Sequence, residues 1–249
     1  MNTVLITGGG SGIGWKLAER YLKQGDRVII CGRNEQKLAD VQAAHPEVIT
    51  RKCDLTNEAE RIALVDWISA DHPETNILVN NAGIQQRFNL LKADVRNNWD
   101  YYLQEIKANE EATIHLAILF SQLFAEKEQA TIVNVSSGLA IIPMVISPIY
   151  SASKAAVHAF TMALRHQLSE TAIKVIEILP PAVNTDLGGT GLHNNGEDAD
   201  EFADSVFRDM QAGKEEIGFA HSAKVLEMSR KEINETVAGM YQKMKAEIE

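Results

Sequence analysis

The chain has 249 residues, a formal net charge of −10 and 45% hydrophobic residues. That length fits one large α/β domain or two small ones, and the composition fits a protein with a full core. The negative charge argues against nucleic acid or an anionic membrane surface as partner, and two cysteines, Cys31 and Cys53, are too few for a disulfide framework.

The chain opens on a short apolar run, Val4-Leu5-Ile6, too short for a secretory signal, and no later run is long enough to span a bilayer. A cytoplasmic location follows as the expectation. Thr7-Gly8-Gly9-Gly10-Ser11-Gly12-Ile13-Gly14 comes next, then a helical pattern through Trp15, Leu17, Ala18, Tyr21 and Leu22 to Gly25. Strand, glycine turn and helix in that order give the glycines a purpose. They let the backbone approach a pyrophosphate, and the helix offers its free N–H groups and the positive end of its dipole. A phosphate-binding loop of the Walker type does not fit. Gly9 and Gly14 have its separation, but Trp15 stands where a Lys is required.

Residues 27–31 read as a second buried strand, residues 35–44 as a helix stopped near Pro46, and residues 48–53 as a third strand. Asp54-Leu55-Thr56 follows, with Thr56 the expected N-cap of a helix running to about Ala70. Ile77-Leu78-Val79 is a fourth strand, ending in Asn80-Asn81-Ala82-Gly83. A long helix is expected over residues 94–124, with Asn109 in its polar patch at 107–111. Residues 131–135 form the fifth strand, with Ser136-Ser137 at its carboxyl end. An apolar loop over 138–149 leads into the helix of Tyr150 and Lys154. Residues 174–179 are the sixth strand, ending in Pro180-Pro181-Ala182-Val183-Asn184-Thr185. The Gly- and Asn-rich stretch 187–197 has the composition of a mobile loop, and residues 186–212 are expected to cover the substrate. Residues 198–210 read as an amphipathic helix, 217–219 as a short seventh strand, and 225–248 as one charged helix.

Strands alternating with helices imply parallel strands with right-handed crossovers. Ligands of such sheets bind beyond the carboxyl ends of the strands. Gly8 to Gly14, Gly32-Arg33, Asp54 and Asn80 to Gly83 all fall there. With no repeat, no linker and no second core in the pattern, the expectation is a single α/β domain over 1–249.

Tyr150 and Lys154, four residues apart on a helix, share one face. An ammonium about 5 Å from a phenol, at an effective dielectric of about 20, favours the phenolate by roughly 3 kcal/mol. That is on the order of two pKa units. The expectation is a phenolic acid/base drawn toward working pH.

Together these residues resemble the short-chain dehydrogenase/reductase family over residues 4–185, and less so from 187 onward. Thr7 to Gly14 is similar to its TGxxxGIG cofactor turn, and Asn80 to Gly83 to its NNAG motif, which stabilises the central sheet. Ser137, thirteen residues before Tyr150, then Lys154, resembles its Ser-Tyr-Lys set, and Asn109 matches the fourth member. The resemblance implies a doubly wound Rossmann fold, a mostly parallel sheet of about seven strands flanked by helices. It implies hydride transfer between a nicotinamide cofactor and a small carbonyl or secondary alcohol. Tyr150 is then the general acid for reduction and the base for oxidation. Lys154 lowers the Tyr150 pKa and bonds the nicotinamide ribose, Ser137 holds the substrate oxygen, and Asn109 holds a relay water. Gly8, Ser11, Gly12, Ile13 and Gly14 line the pyrophosphate. Asp54 and Leu55 lie against the adenine, Asn81 beside its ribose with Ala82 and Gly83, and Val183 and Thr185 against the carboxamide. A homodimer or homotetramer is implied as well, paired through the two long helices.

The cofactor choice is read from the end of the second strand. NAD enzymes place an acid there for the ribose 2′-hydroxyl. Here Gly32 stands at that position and Arg33 follows; a guanidinium binds a 2′-phosphate bidentately, and Asn34 and Ser11 add neutral hydrogen bonds. NADP(H) is therefore expected to be preferred, with NAD(H) left open. The family usually carries PGxVxT after the sixth strand, and Pro181 replaces that Gly here, as in a bacterial branch with PPxVxT. A second Pro removes a donor and fixes φ beside the nicotinamide.

No metal is expected, because His115, His158 and His166 lack ligand partners at suitable sequence spacing. Ser151 to Lys154 reads S-x-x-K, but no S-D-N or K-T-G element follows, which removes that hydrolase class. Two other readings share the scaffold: an epimerase or lyase that uses the cofactor transiently, and a non-catalytic cofactor sensor, which has no need of Asn109, Ser137, Tyr150 and Lys154 together.

Overall fold

The structure is a computed structural model and describes residues 1–248. Its strands are β1 (Thr3–Thr7), β2 (Arg27–Gly32), β3 (Ile49–Lys52), β4 (Ile77–Asn80), β5 (Ala130–Val135), β6 (Ile173–Leu179) and β7 (Glu216–Gly218). Its helices are α1 (Gly12–Lys23), α2 (Glu35–Ala44), α3 (Glu58–Asp71), α4 (Trp99–Ile106), α5 (Ala112–Leu123), α6 (Pro148–Gln167), α7 (Ala199–Gln211), α8 (His221–Val225) and α9 (Arg230–Ile248). The strands form one sheet in the order β3-β2-β1-β4-β5-β6-β7, with every neighbouring pair parallel.

Strand periodicity explains why both faces are covered. Alternate residues of a strand point to opposite faces. Val4 and Ile6, Val28 and Ile30, and Val133 and Val135 pack with Leu17, Tyr21, Phe202 and Val206 of α1 and α7. Leu5, Ile29, Leu78 and Ile132 pack on the other face with Leu64, Ile68, Leu116, Phe120 and Leu164 of α3, α5 and α6. This is the Rossmann-like arrangement expected from the apolar runs. Its strand order reverses between β1 and β4, which opens a crevice at their carboxyl ends.

Local chemistry moves several boundaries. Asn57, not Thr56, caps α3: its Oδ1 accepts from the N–H groups of Ala59 and Glu60, while the Thr56 hydroxyl donates to Asp54 Oδ1 at 2.8 Å. The helix expected over 94–124 begins only at Trp99, since Asp94 holds Asn97 in a turn. It is then interrupted by a π-helical turn, Lys107–Glu111. Such a turn adds a residue and rotates the helix beyond it. Asn109, expected in a polar patch, is thereby turned fully inward.

The helix expected over 225–248 starts only at Arg230, as α9, while Val225 ends the separate short helix α8. Ser229 and Glu232 form a capping box, with Ser229 N–H donating to Glu232 Oε2 at 2.7 Å, and α9 starts there. Residues 199–211, expected as part of the substrate cover, form α7, which is tied to α1 by Arg20. The Arg20 guanidinium reaches Asp204 at 2.8 Å and Asp200 at 2.7 Å. β3 and β7 are each shorter or shifted by about one residue from the expected runs, ordinary fraying at strand ends.

Candidate active site

A cleft of about 1060 Å³ runs along the carboxyl ends of the strands. Gly8, Ser11, Gly12, Ile13, Arg33, Asn34, Asp54, Leu55, Asn81, Ala82, Gly83, Ser137, Tyr150, Lys154, Val183 and Thr185 all line it. Gly14 lies just inside, against the turn, and Asn109 lies behind Gly83.

The glycine turn is built for a close approach. Gly8 and Gly12 have φ of +65° and +57°, where side chains are rarely tolerated. A Cβ on Gly14 would stand 2.5 Å from both the Gly8 carbonyl and Asn81 Nδ2. Ser11 precedes α1 with no side-chain cap, so the first N–H groups of that helix face the cleft without a protein acceptor from it. Thr7, placed in the turn by its motif but given no role of its own there, locks the turn to β4: its hydroxyl accepts from the N–H groups of Asn81 at 2.9 Å and Ala82 at 3.0 Å. Asn81 returns a bond to the Thr7 carbonyl at 3.0 Å. Asn80 does what the sequence motif suggested, joining β4 to β5 through Asn134 at 3.0 Å.

At the β2 end, Arg33 and Asn34 are exposed on the cleft rim. Asn34 caps α2 by accepting from Lys37 N–H at 3.0 Å. That cap brings Lys37 over the turn, with its Nζ 3.4 Å from Ser11 Oγ. Lys37 is a second cation at this rim that sequence reading missed, although its place in the first turn of α2 was a usable signal.

At the far end, Ser137 starts a 3₁₀ turn and accepts from Leu139 N–H at 3.1 Å. Tyr150 sits in the first turn of α6 with its ring buried. Lys154 is 3% exposed; its Nζ donates to the Val135 carbonyl at 2.8 Å and stands 5.7 Å from the Tyr150 ring centre. The expectation of a phenol drawn down toward working pH is corrected here. Burial pushes the Tyr150 phenol above its ordinary range, and the Ser137 hydroxyl pulls it only partly back. The lysine carries the larger consequence: burial lowers it to about 8. At neutral pH the phenol is therefore protonated, which suits a proton donor.

Asn109 makes three bonds with its side chain. Its Oδ1 accepts from Ile84 N–H at 2.8 Å, and its Nδ2 donates to the Ile84 carbonyl at 2.9 Å and to Ser153 Oγ at 3.2 Å. The amide braces the cleft wall, and the Asn109 main-chain carbonyl accepts from Thr113 Oγ1 at 2.8 Å.

Beyond Tyr150 the cleft is lined by Ile142, Met144, Val225 and Met240, with Gln85 and His193 as polar members. His193 Nε2 and Gln85 Oε1 are 3.2 Å apart, joining the 187–197 stretch to the β4 side. Pro181 leaves the backbone closed: the Ala182 carbonyl accepts from Glu197 N–H at 2.8 Å, and Asn184 N–H donates to the Glu197 carbonyl at 2.9 Å.

The histidines part ways. His115 accepts from Arg61 Nε at 3.0 Å, a structural role. His158 corrects the expectation that it lacks partners, since β6 brings fully buried Glu177 to 2.9 Å from its Nδ1, with Glu216 nearby. Arg165 already supplies positive charge there, at 3.5 Å from Glu216, so the cluster reads as an ion-pair network. Cys31 and Cys53 are free and buried, and burial raises both thiols. Among the described residues no helix is long and apolar enough to cross a membrane.

The sequence model of the short chain dehydrogenase family matches residues 2–195. The uncharacterized oxidoreductase DltE of Bacillus subtilis is 42% identical over 221 residues, 87% of each chain. A short-chain dehydrogenase from Sphingobium yanoikuyae, solved in complex with NADPH, superposes with a TM-score of 0.80 at 25% identity over 100% of this chain and 97% of that one. One from Burkholderia cenocepacia, in complex with NADP, shares the fold at a TM-score of 0.77 and 24% identity, over 99% and 97%.

Proposed function

Because the chain belongs to the short-chain dehydrogenase family, we propose that it is an NADP(H)-preferring oxidoreductase acting on a carbonyl or secondary alcohol, with Tyr150 as general acid/base. The observation that carries this reading is the convergence of Ser137, Tyr150 and Lys154 at one end of a cleft whose other end is a glycine turn with two cations at its rim.

The donor set suits a dinucleotide. The α1 N-terminus and the turn from Gly8 to Gly14 take the pyrophosphate, and Arg33, Asn34, Ser11 and Lys37 take the 2′-phosphate. Asp54 and Leu55 flank the adenine, and Asn81, Ala82 and Gly83 its ribose. Val183 and Thr185 meet the carboxamide. When bound, the nicotinamide supplies or accepts the hydride. The chain's own residues manage the oxygen and the proton. Ser137 donates to the substrate oxygen and Tyr150 delivers its proton there as negative charge develops. The charged Lys154 stabilises the phenolate left behind, and it also bonds the nicotinamide ribose. Asn109 holds the wall through Ile84. Residues 186–212 cover the substrate, within a single domain over 1–249.

Oxidation of NADPH across a panel of aldehydes and ketones, run after a mass measurement of any co-purified ligand, tests the reading. Steady NADPH consumption with at least one carbonyl supports it. Consumption with none, while a substrate is converted without net cofactor change, replaces it with epimerase or lyase chemistry.

The protein is also expected to be a homodimer or homotetramer. Of the apolar residues on the two long helices, Phe120 and Val157 turn into the core, but Ile118 and Met162 remain 43% and 44% exposed on α5 and α6. Apolar residues left on an outward face are usually covered by another element. Light scattering at micromolar concentration should give at least twice the monomer mass; a monomer mass sinks the idea.

A further inference from the structure

A buried ammonium needs an opposite charge, because burial alone favours its neutral form. Lys154 has the Val135 carbonyl as its neutral acceptor, and two carboxylates act on it from a distance, Glu105 and Glu177. Glu177 on β6 is already answered: His158 stands against one oxygen at 2.9 Å and the Ser136 hydroxyl donates to the other.

Glu105 is not answered in this way. It lies in the last turn of α4, which packs on α6, and is 0% exposed. Its Oε1 accepts from Gln86 N–H at 2.8 Å, whereas its Oε2 is buried with no hydrogen-bond partner. The charged side chain that acts on it is Lys154, and its own charge acts in turn on Lys154 and Tyr150, both on α6. Gln86 meets it with its backbone N–H only, because its side-chain amide donates to the Tyr101 carbonyl at 2.8 Å.

We infer, on the reading of the site given above, that Glu105 is a positioning residue: the buried counter-charge that keeps Lys154 ionised and so sets the pH range in which Tyr150 is served. Burial lifts the Glu105 carboxyl to about 7 and lowers Lys154 to about 8, so the two groups titrate close together. Above about 7 Glu105 is anionic, and its charge raises the Lys154 pKa. Without that charge the ammonium faces burial with only Glu177 behind it, and loses its proton at lower pH.

Glu105→Gln separates charge from shape, since its amide oxygen still accepts from Gln86 N–H while the side chain keeps its volume. The alkaline limb of kcat/KM should move to lower pH by about one unit, the low end of the effect of a neighbouring opposite charge. An alkaline limb superimposable on that of the unmodified protein overturns the inference. Infrared difference spectra between about pH 6 and 8 provide a readout that needs no activity. A protonated-carboxyl band should disappear across that interval in the unmodified protein, be missing in Glu105→Gln, and titrate at higher pH in Lys154→Met, where the favouring cation is gone. A band that ignores Lys154→Met overturns the coupling even if Glu105→Gln fails to fold. If the unmodified protein reduces no carbonyl, the functional reading fails, and the infrared titration still decides whether Glu105 and Lys154 are linked.

Discussion

Tyr150→Phe is expected to lower turnover by at least about 10²-fold, the scale of a lost general acid, while cofactor affinity stays within a few-fold of the unmodified value. The buried ring keeps its packing in the variant, because only the hydroxyl is removed. The loss falls on the step in which the oxygen gains its proton, since Ser137 still donates a hydrogen bond but has no acidic proton to give. Measurement needs any accepted substrate and a calorimetric titration of NADP(H). Retained turnover removes the mechanism; lost cofactor binding would move Tyr150 from chemistry to the binding site. In the unmodified enzyme the direction of pH dependence comes from burial. The phenol is held protonated, so reduction needs no prior ionisation, whereas oxidation needs the phenolate and should rise with pH. That rise ends where Lys154 loses its charge, near the value of about 8 to which burial brings it.

The second large effect is on cofactor choice. NADP(H) should bind at least about tenfold more tightly than NAD(H), equivalent to roughly 1.4 kcal/mol. Gly32→Asp combined with Arg33→Ala should reverse the trend toward NAD(H). Space does not oppose the change, since a Cβ on Gly32 meets nothing within 4 Å. The new carboxylate repels a 2′-phosphate and accepts from a 2′-hydroxyl. Lys37 stays near Ser11 in the double variant and keeps part of the phosphate affinity, so adding Lys37→Ala should complete the shift. Calorimetry with both cofactors decides the matter. Equal affinities, or tighter NAD(H) binding by the unmodified protein, would show that the rim cations do not read the phosphate.

Short-range sequence pattern settled the seven strands and where the glycine turn and the Tyr150/Lys154 pair lie, because those features depend on neighbours a few residues apart. Continuous apolar runs in strands that alternate with helices announced a sheet covered on both faces, and each motif fell at a strand end where a parallel sheet binds its ligand. Some local signals went unread though they were present: Ser229 and Glu232 have capping-box spacing, and Asn57 is as good a cap as Thr56. Other features lay beyond any local pattern. The π turn that buries Asn109 depends on Ile84 and Ser153, residues 25 and 44 positions away. Glu177 meets His158 because β6 lies under α6, and Glu105 comes within electrostatic range of Lys154 because α4 packs on α6. The acid–base character of the site is likewise tertiary. Spacing along a helix says that an ammonium can favour a phenolate, but burial competes with that attraction, and only the folded chain decides how much water each group loses.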